Sequence, residues 1–217
     1  MSHDTQCYPP AVKKTALVLV TLALLAAGPG TAATVEVTVT DAKGAAIADA
    51  VVSARPPGPP AALRKRSAAV EQRDKAFVPL VSVVQAGTAV QFPNRDPIRH
   101  HVYSFSPAKV FEIKLYADVP AAPVVFDKPG EVVLGCNIHD HMIAYIYVVD
   151  TPWYAKTGAD GKARIAELPA GDYDVQVAHY AQVAPLAAKR LALRADDSQA
   201  LPVSLALKVL TPRPAPQ

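Results

Sequence analysis

Cysteine is nearly missing from this 217-residue chain, which has only Cys7 and Cys136. Cys7 lies in the stretch before an N-terminal apolar run, so a single thiol, Cys136, is left for the folded protein. One thiol closes no internal disulfide, and a disulfide-stapled small fold is excluded. Tryptophan occurs once, methionine twice, and aromatic residues make up 6%. No row of exposed rings stands ready to stack on carbohydrate; Trp153 and Tyr154 alone are weak. The charges nearly cancel, with 22 Lys and Arg against 19 Asp and Glu for a net +3, and no basic surface for nucleic acid is implied. The apolar run from Ala16 to about Ala27 falls short of the roughly 20 residues that a bilayer-spanning helix needs.

That same run has a different meaning. Lys13 and Lys14 precede it, Gly28-Pro29-Gly30 ends it, and the small residues Thr31-Ala32-Ala33 follow. A basic start, a short apolar centre and a small-x-small end describe a secretory signal peptide cleaved after Ala33. A retained membrane anchor is the alternative. The expected location of the mature chain is the periplasm or the exterior, with no stable membrane insertion after cleavage. An odd cysteine in an exported protein calls for either intermolecular pairing or a dedicated chemical role.

The rest of the chain reads as β structure. Val35 to Thr40 alternates apolar and polar residues, reaches a turn at Asp41 to Gly44 and resumes at Ala50 to Ala54, a pair of strands around a tight turn. Arg55-Pro56-Pro57-Gly58-Pro59-Pro60 lacks the donors for a ladder or a helix and reads as a linker. The charged, Ala-rich stretch that follows, with Arg64-Lys65-Arg66, reads as a solvated connector. From Phe77 to Val149, seven or so short strands separated by turn residues predict a β-sandwich or barrel. Further strands are expected at Lys162 to Leu168, Asp172 to Ala178, Leu186 to Leu193 and Leu201 to Val209.

The chemistry is concentrated in Cys136-Asn137-Ile138-His139-Asp140-His141-Met142. Thiolate, imidazole and thioether, with a second imidazole, are the ligands of a mononuclear copper site of the blue type, which sets Cys and two His roughly in a plane around the metal with a weak axial Met. One tight loop between two strands can supply three ligands, and the fourth must come from elsewhere. His100, at the start of a strand after a turn, is such a donor. His101 and His141 are imidazoles too and stand as alternative ligands, although neighbours on a strand point to opposite faces, so His100 and His101 do not readily face one metal together.

The order Phe92-x-Asn94-x-Asp96-x-x-x-His100-x-Val102, then Phe126-x-x-Pro129-Gly130-x-Val132-x-Leu134-x-Cys136-x-x-His139-x-x-Met142, resembles the cupredoxins, closest to the plastocyanin and amicyanin branch. The resemblance covers about Phe77 to Val149. It implies a Greek-key β-sandwich holding one copper, with His100, Cys136, His139 and Met142 as ligands and His141 as a rim residue. The family usually has Asn immediately after the first histidine; His101 departs from this and puts the hydrogen bonding around the ligands in question. Val39-x-Asp41-x-x-Gly44 with Asp49-Ala50-Val51-Val52, and Thr157-x-x-Asp160-Gly161 with Leu168-Pro169-x-Gly171-x-Tyr173-x-Val175, resemble a carboxypeptidase regulatory-like or transthyretin-like sandwich. The expected architecture is all-β: a signal-peptide helix in 1–33, a cupredoxin domain at 77–150, and a smaller, discontinuous sandwich from 34–60 plus 151–210. A linker at 61–76 and a disordered tail at 211–217 complete it. The alternative is that the N-terminal strands extend the copper domain.

The resemblance implies a one-electron carrier serving a periplasmic partner such as a cytochrome or a quinoprotein dehydrogenase, a layout often associated with methylamine utilisation. His139 is the expected exit for the electron, inside an apolar patch of Pro97, Ile98, Ile138 and Ile143. Copper transport or storage without electron transfer is one rival, and a structural or ligand-binding sandwich with a vestigial site is another. An enzyme is not expected, because three or four protein ligands leave no open copper position and no pairing of nucleophile and base is evident.

Overall fold

The computed structural model describes residues 32–60, 66–120 and 122–208. The expected leader up to residue 31, the first part of the connector at 61–65 and the expected tail at 211–217 lie outside them. The described residues form seventeen strands and no helix. The N-terminal piece holds β1 (Ala33–Thr40) and β2 (Val51–Arg55). The middle holds β3 (Ser67–Ala69), β4 (Glu71–Arg73), β5 (Ala76–Val78), β6 (Val81–Gln85), β7 (Thr88–Gln91), β8 (His100–Ser106), β9 (Lys109–Tyr116), β10 (Val124–Phe126), β11 (Gly130–Gly135) and β12 (Ile143–Val149). The C-terminal piece holds β13 (Trp153–Lys156), β14 (Lys162–Leu168), β15 (Gly171–Ala178), β16 (Lys189–Leu193) and β17 (Ser198–Ser204).

The two ends of the chain share sheets. β1 lies between β14 and β17, and β2 lies between β13 and β15, with β16 at the far edge of β15. Alternation along β1 sends Val35, Val37 and Val39 inward, where they meet Val52, Ile165, Val175 and Leu201 in one core. The sequence suggested β1 and β2 as neighbours around a turn; instead they stand in opposite sheets. The Asp41 carboxylate does accept the N–H groups of Lys43 and Ala45, and Ile47 N–H returns to Val39 O at 3.0 Å. After this the chain crosses over, with Asp49 at positive φ, because two strands that each carry one apolar face bury more by facing one another than by pairing edge to edge.

The middle piece builds a second sandwich. One sheet runs β6-β12-β11-β8-β9 and the other β10-β7-β3. The chain passes between the sheets after β6, β7, β9 and β10, the crossing pattern of a Greek key. Phe92, Phe111 and Phe126 fill the centre with ring centroids 5.6 to 6.4 Å apart, and Leu134, Ile146, Cys136 and Met142 belong to the same core. Within the stretch expected to be a linker, residues 67–73 carry β3 and β4. Short, charged and Ala-rich, they lack a legible alternation, yet β3 completes a sheet edge beside β7 and β4 pairs with β5. A small seam of Val51, Val81 and Tyr147 joins the two cores, with Tyr145 stacked on Tyr180 at 4.6 Å.

Two side chains show how these elements are tied. His179 is buried, and its Nδ1 accepts the Ala181 N–H at 3.1 Å while the ring bonds to the Ala48 backbone. Burial holds its pKa below the ordinary histidine value, against the opposing pull of Ala48 and Asp49. Protonation at Nδ1 would remove the acceptor, so the stability that His179 supplies is present above the unfolded value of about 6.5 and is lost as pH falls toward the depressed folded value. The melting temperature should drop between about pH 7.5 and about pH 5.5 by more in the parent than in His179→Gln, which keeps a donor and an acceptor; equal drops would refute the assignment. Gly135, in turn, pairs with Tyr103, and a Cβ there would stand 2.7 Å from the Tyr103 ring. Gly135→Ala should displace that ring and cost about 1–3 kcal/mol in chemical denaturation, whereas an unchanged midpoint would show the ring to be loosely held.

Candidate metal centre

β11 leads to Cys136 at the end of the middle sandwich, the first residue of a seven-residue connection, 136–142, back into its antiparallel neighbour β12. The connection is tight because the Met142 N–H donates to His139 O at 2.9 Å. Cys136 is a free, buried thiol. His100, the first residue of β8, is fully buried and reaches the same point from another strand. Its ring centroid lies 5.2 Å from that of His139. His100, Cys136 and His139 each present a ligand atom, and the three atoms lie within 4.8 Å of one another.

The imidazoles are arranged unequally. His100 Nε2 lies 2.6 Å from Asp96 Oδ2, whereas His100 Nδ1 is buried without a partner. His139 Nδ1 is likewise buried and unpartnered. Leaving a buried polar atom unsatisfied costs about 1–3 kcal/mol, so such groups in native structures call for an occupant. A thiol grouped with two imidazoles that have unpartnered nitrogens fits a transition metal that accepts thiolate and imidazole together. Desolvation, and then the charges of His100, His141 and Lys75, hold the His139 pKa below its ordinary value, with Asp96 opposing. The neutral ring is the form that ligates.

The remaining candidates are placed as follows. Met142 is fully buried in the same core cluster as Cys136. His141 has its ring centroid 5.7 Å from that of His139, with a buried Nε2 that lacks a partner. His101, on the opposite face of β8, sits with Nε2 2.9 Å from Glu112 Oε1 and its ring 5.5 Å from Tyr103. Ile98, two residues before His100, is 40% exposed, and Ile138, which precedes the half-buried His139 in the chain, is 45% exposed.

Asp96 and Asn94 carry more than their places in a motif. Asn94 is buried; its Oδ1 accepts the Asp96 N–H at 3.0 Å, and its amide donates to Ile98 O at 2.7 Å and Tyr116 O at 3.1 Å. The loop before His100 is thus fixed at both ends. Tyr116 donates to Phe92 O at 2.6 Å and accepts from Gln72, and burial pushes its pKa up to about 12. Asp96 is held below the ordinary carboxylate value: burial raises it, but the Lys75 N–H, His100 and the Asp74 N–H outweigh that. An Asn-x-Asp turn four residues before a candidate ligand was the signal for these roles, but the residues that grip Asp96 stand more than twenty positions upstream.

No protein-family model matches the chain, and no curated protein matches it. Among solved structures, it is similar to a copper-containing nitrite reductase from Thermus scotoductus, with 26% identity and a TM-score of 0.37 over 42% of this chain; the match spans 25% of the reductase. It is similar to a purple cupredoxin from Nitrosopumilus maritimus, with 20% identity and a TM-score of 0.34, over 38% of this chain and 99% of that one. It is also similar to amicyanin from Paracoccus versutus, with 16% identity and a TM-score of 0.33, over 38% of this chain and 81% of that one.

Proposed function

We propose that this chain is a blue-type copper protein that carries single electrons. The observation behind the reading is the meeting of His100, Cys136 and His139, whose ligand atoms lie within 4.8 Å of one another, with each of the two imidazoles keeping a buried Nδ1 without a partner. His100, Cys136 and His139 would hold the metal, with Met142 as the weak axial donor. Copper bound there would supply a one-electron couple between Cu(I) and Cu(II). The chain's own part is to keep the ligands fixed in a dry, packed core, so that little rearranges when the charge changes. The soft thiolate and thioether favour copper over the harder divalent ions.

The partner is proposed to be a periplasmic redox protein, a cytochrome or a quinoprotein dehydrogenase, docking at the edge where His139 is half exposed. Ile98 and Ile138 give that edge an apolar rim suited to a small, transient interface. Among the described residues no helix is long and apolar enough to cross a membrane. The purified protein loaded with Cu(II) should show an intense thiolate-to-copper charge-transfer colour that Cys136→Ser abolishes. A colourless loaded protein would sink the reading, and a coloured one with very slow electron exchange would favour copper transport instead.

The domain division is proposed on the two cores: residues 34–60 with 151–210 as one unit, interrupted by a copper-binding unit at 77–150 whose sheet edge β3 completes. Trp153, the only tryptophan, packs on the outer core, edge-on to Tyr173 at 5.7 Å. Ligand binding stabilises only the unit that holds the ligand. Copper should therefore raise the melting point read from the thiolate band without moving the tryptophan fluorescence transition; a matching shift in both would show one cooperative unit.

A further inference from the structure

Beside the ligands lies a buried carboxylate gripped from two sides. The Asp96 side chain is 8% exposed. Its Oδ1 accepts the Asp74 N–H at 2.7 Å, and its Oδ2 accepts the Lys75 N–H at 2.9 Å while standing 2.6 Å from His100 Nε2. Asp74 and Lys75 are the two residues between β4 and β5, where Arg73 pairs with Ala76. Both have φ of 54°, the sign that a two-residue hairpin loop of type I′ requires at both positions. Side chains other than glycine adopt that region at a cost of about 1–2 kcal/mol each. The turn holds this disfavoured form with two consecutive N–H groups aimed at one carboxylate, and strain of that kind clusters where geometry serves function.

A carboxylate with three donors around it has only acceptors to offer. The hydrogen between Oδ2 and the ring therefore sits on His100 Nε2, and in the neutral ring that leaves Nδ1 as the acceptor. We infer that Asp96, clamped by the Asp74-Lys75 turn, is the positioning residue of the metal site, fixing His100 as the Nε2–H tautomer with Nδ1 turned toward Cys136 and His139. This rests on the copper reading for its consequence at the metal. A carboxylate behind a ligating imidazole orients the ring and raises its basicity, which favours Cu(II) over Cu(I) and lowers the reduction potential. An amide at position 96 could not serve, because its NH₂ would face a backbone N–H or the ring N–H.

Two measurements on the full chain test the inference. In the copper-free protein, the imidazole nitrogen shifts of His100 should show Nε2 protonated and Nδ1 bare; a ring protonated at Nδ1 would overturn it. In the copper-loaded protein, Asp96→Asn should weaken Cu(II) binding roughly 10- to 100-fold, raise the potential and alter the thiolate band and the Cu(II) resonance spectrum, with Asp96→Glu restoring part. An Asp96→Asn protein with the parent's fold, by Trp153 fluorescence, and unchanged affinity, potential and spectra would also overturn it. A parent protein that takes up no copper would overturn the copper reading instead, and the nitrogen shifts would still decide the role of Asp96. They decide it equally if Asp96→Asn does not fold.

Discussion

The two imidazoles grouped with the Cys136 thiol each bury a nitrogen with no hydrogen-bond partner within the protein, and much of the middle sandwich is organised around holding them there. Each such nitrogen costs about 1–3 kcal/mol when left unmet. Burying both without a compensating ligand would set the site against the stability of the domain. The surrounding framework is correspondingly rigid. A sheet pair, β11 and β12, delivers Cys136 and His139; a strand from elsewhere, β8, delivers His100; and a core of three phenylalanines lies beneath them. Bringing one metal to this place would turn three liabilities into bonds.

Support for the ligands comes in layers. Asn94 fixes the loop ahead of His100, Asp96 fixes its ring, and a hairpin far upstream in sequence fixes Asp96. Each layer is buried or half-buried and made largely of backbone donors, which cannot rotate away. His101, which stands where the cupredoxins usually have Asn, lies on the opposite face of its strand against Glu112 and Tyr103. Hydrogen bonding near the ligands is then supplied by Asn94 and Asp96.

Much of this was legible in the sequence. Alternation marked β1, β14 and β15, and apolar runs between turn residues marked β11 and β12, because each such strand buries one or both faces. Cys136 and His139 could be named from residue type and spacing, the resemblance chose His100 over His101, and the fold brings the three together. What was not legible depends on distant contacts. β3 and β4 have no apolar periodicity of their own and exist because β7 and β5 offer edges. β1 and β2 looked like neighbours because a turn follows β1, yet the arch through Asp49 carries the chain to the other sheet. The grip on Asp96 joins residues 21 and 22 positions apart, and nothing local announces it.

The central claim is that His100, Cys136 and His139 converge on a single copper through two nitrogens and one sulfur. Diffraction from crystals of the copper-loaded protein, recorded on both sides of the copper absorption edge, addresses it directly. The account predicts one anomalous peak per chain, within bonding distance of His100 Nδ1, Cys136 Sγ and His139 Nδ1, with His101 outside the coordination shell. A peak elsewhere, or a copper held by His101 or His141 without Cys136, would contradict it.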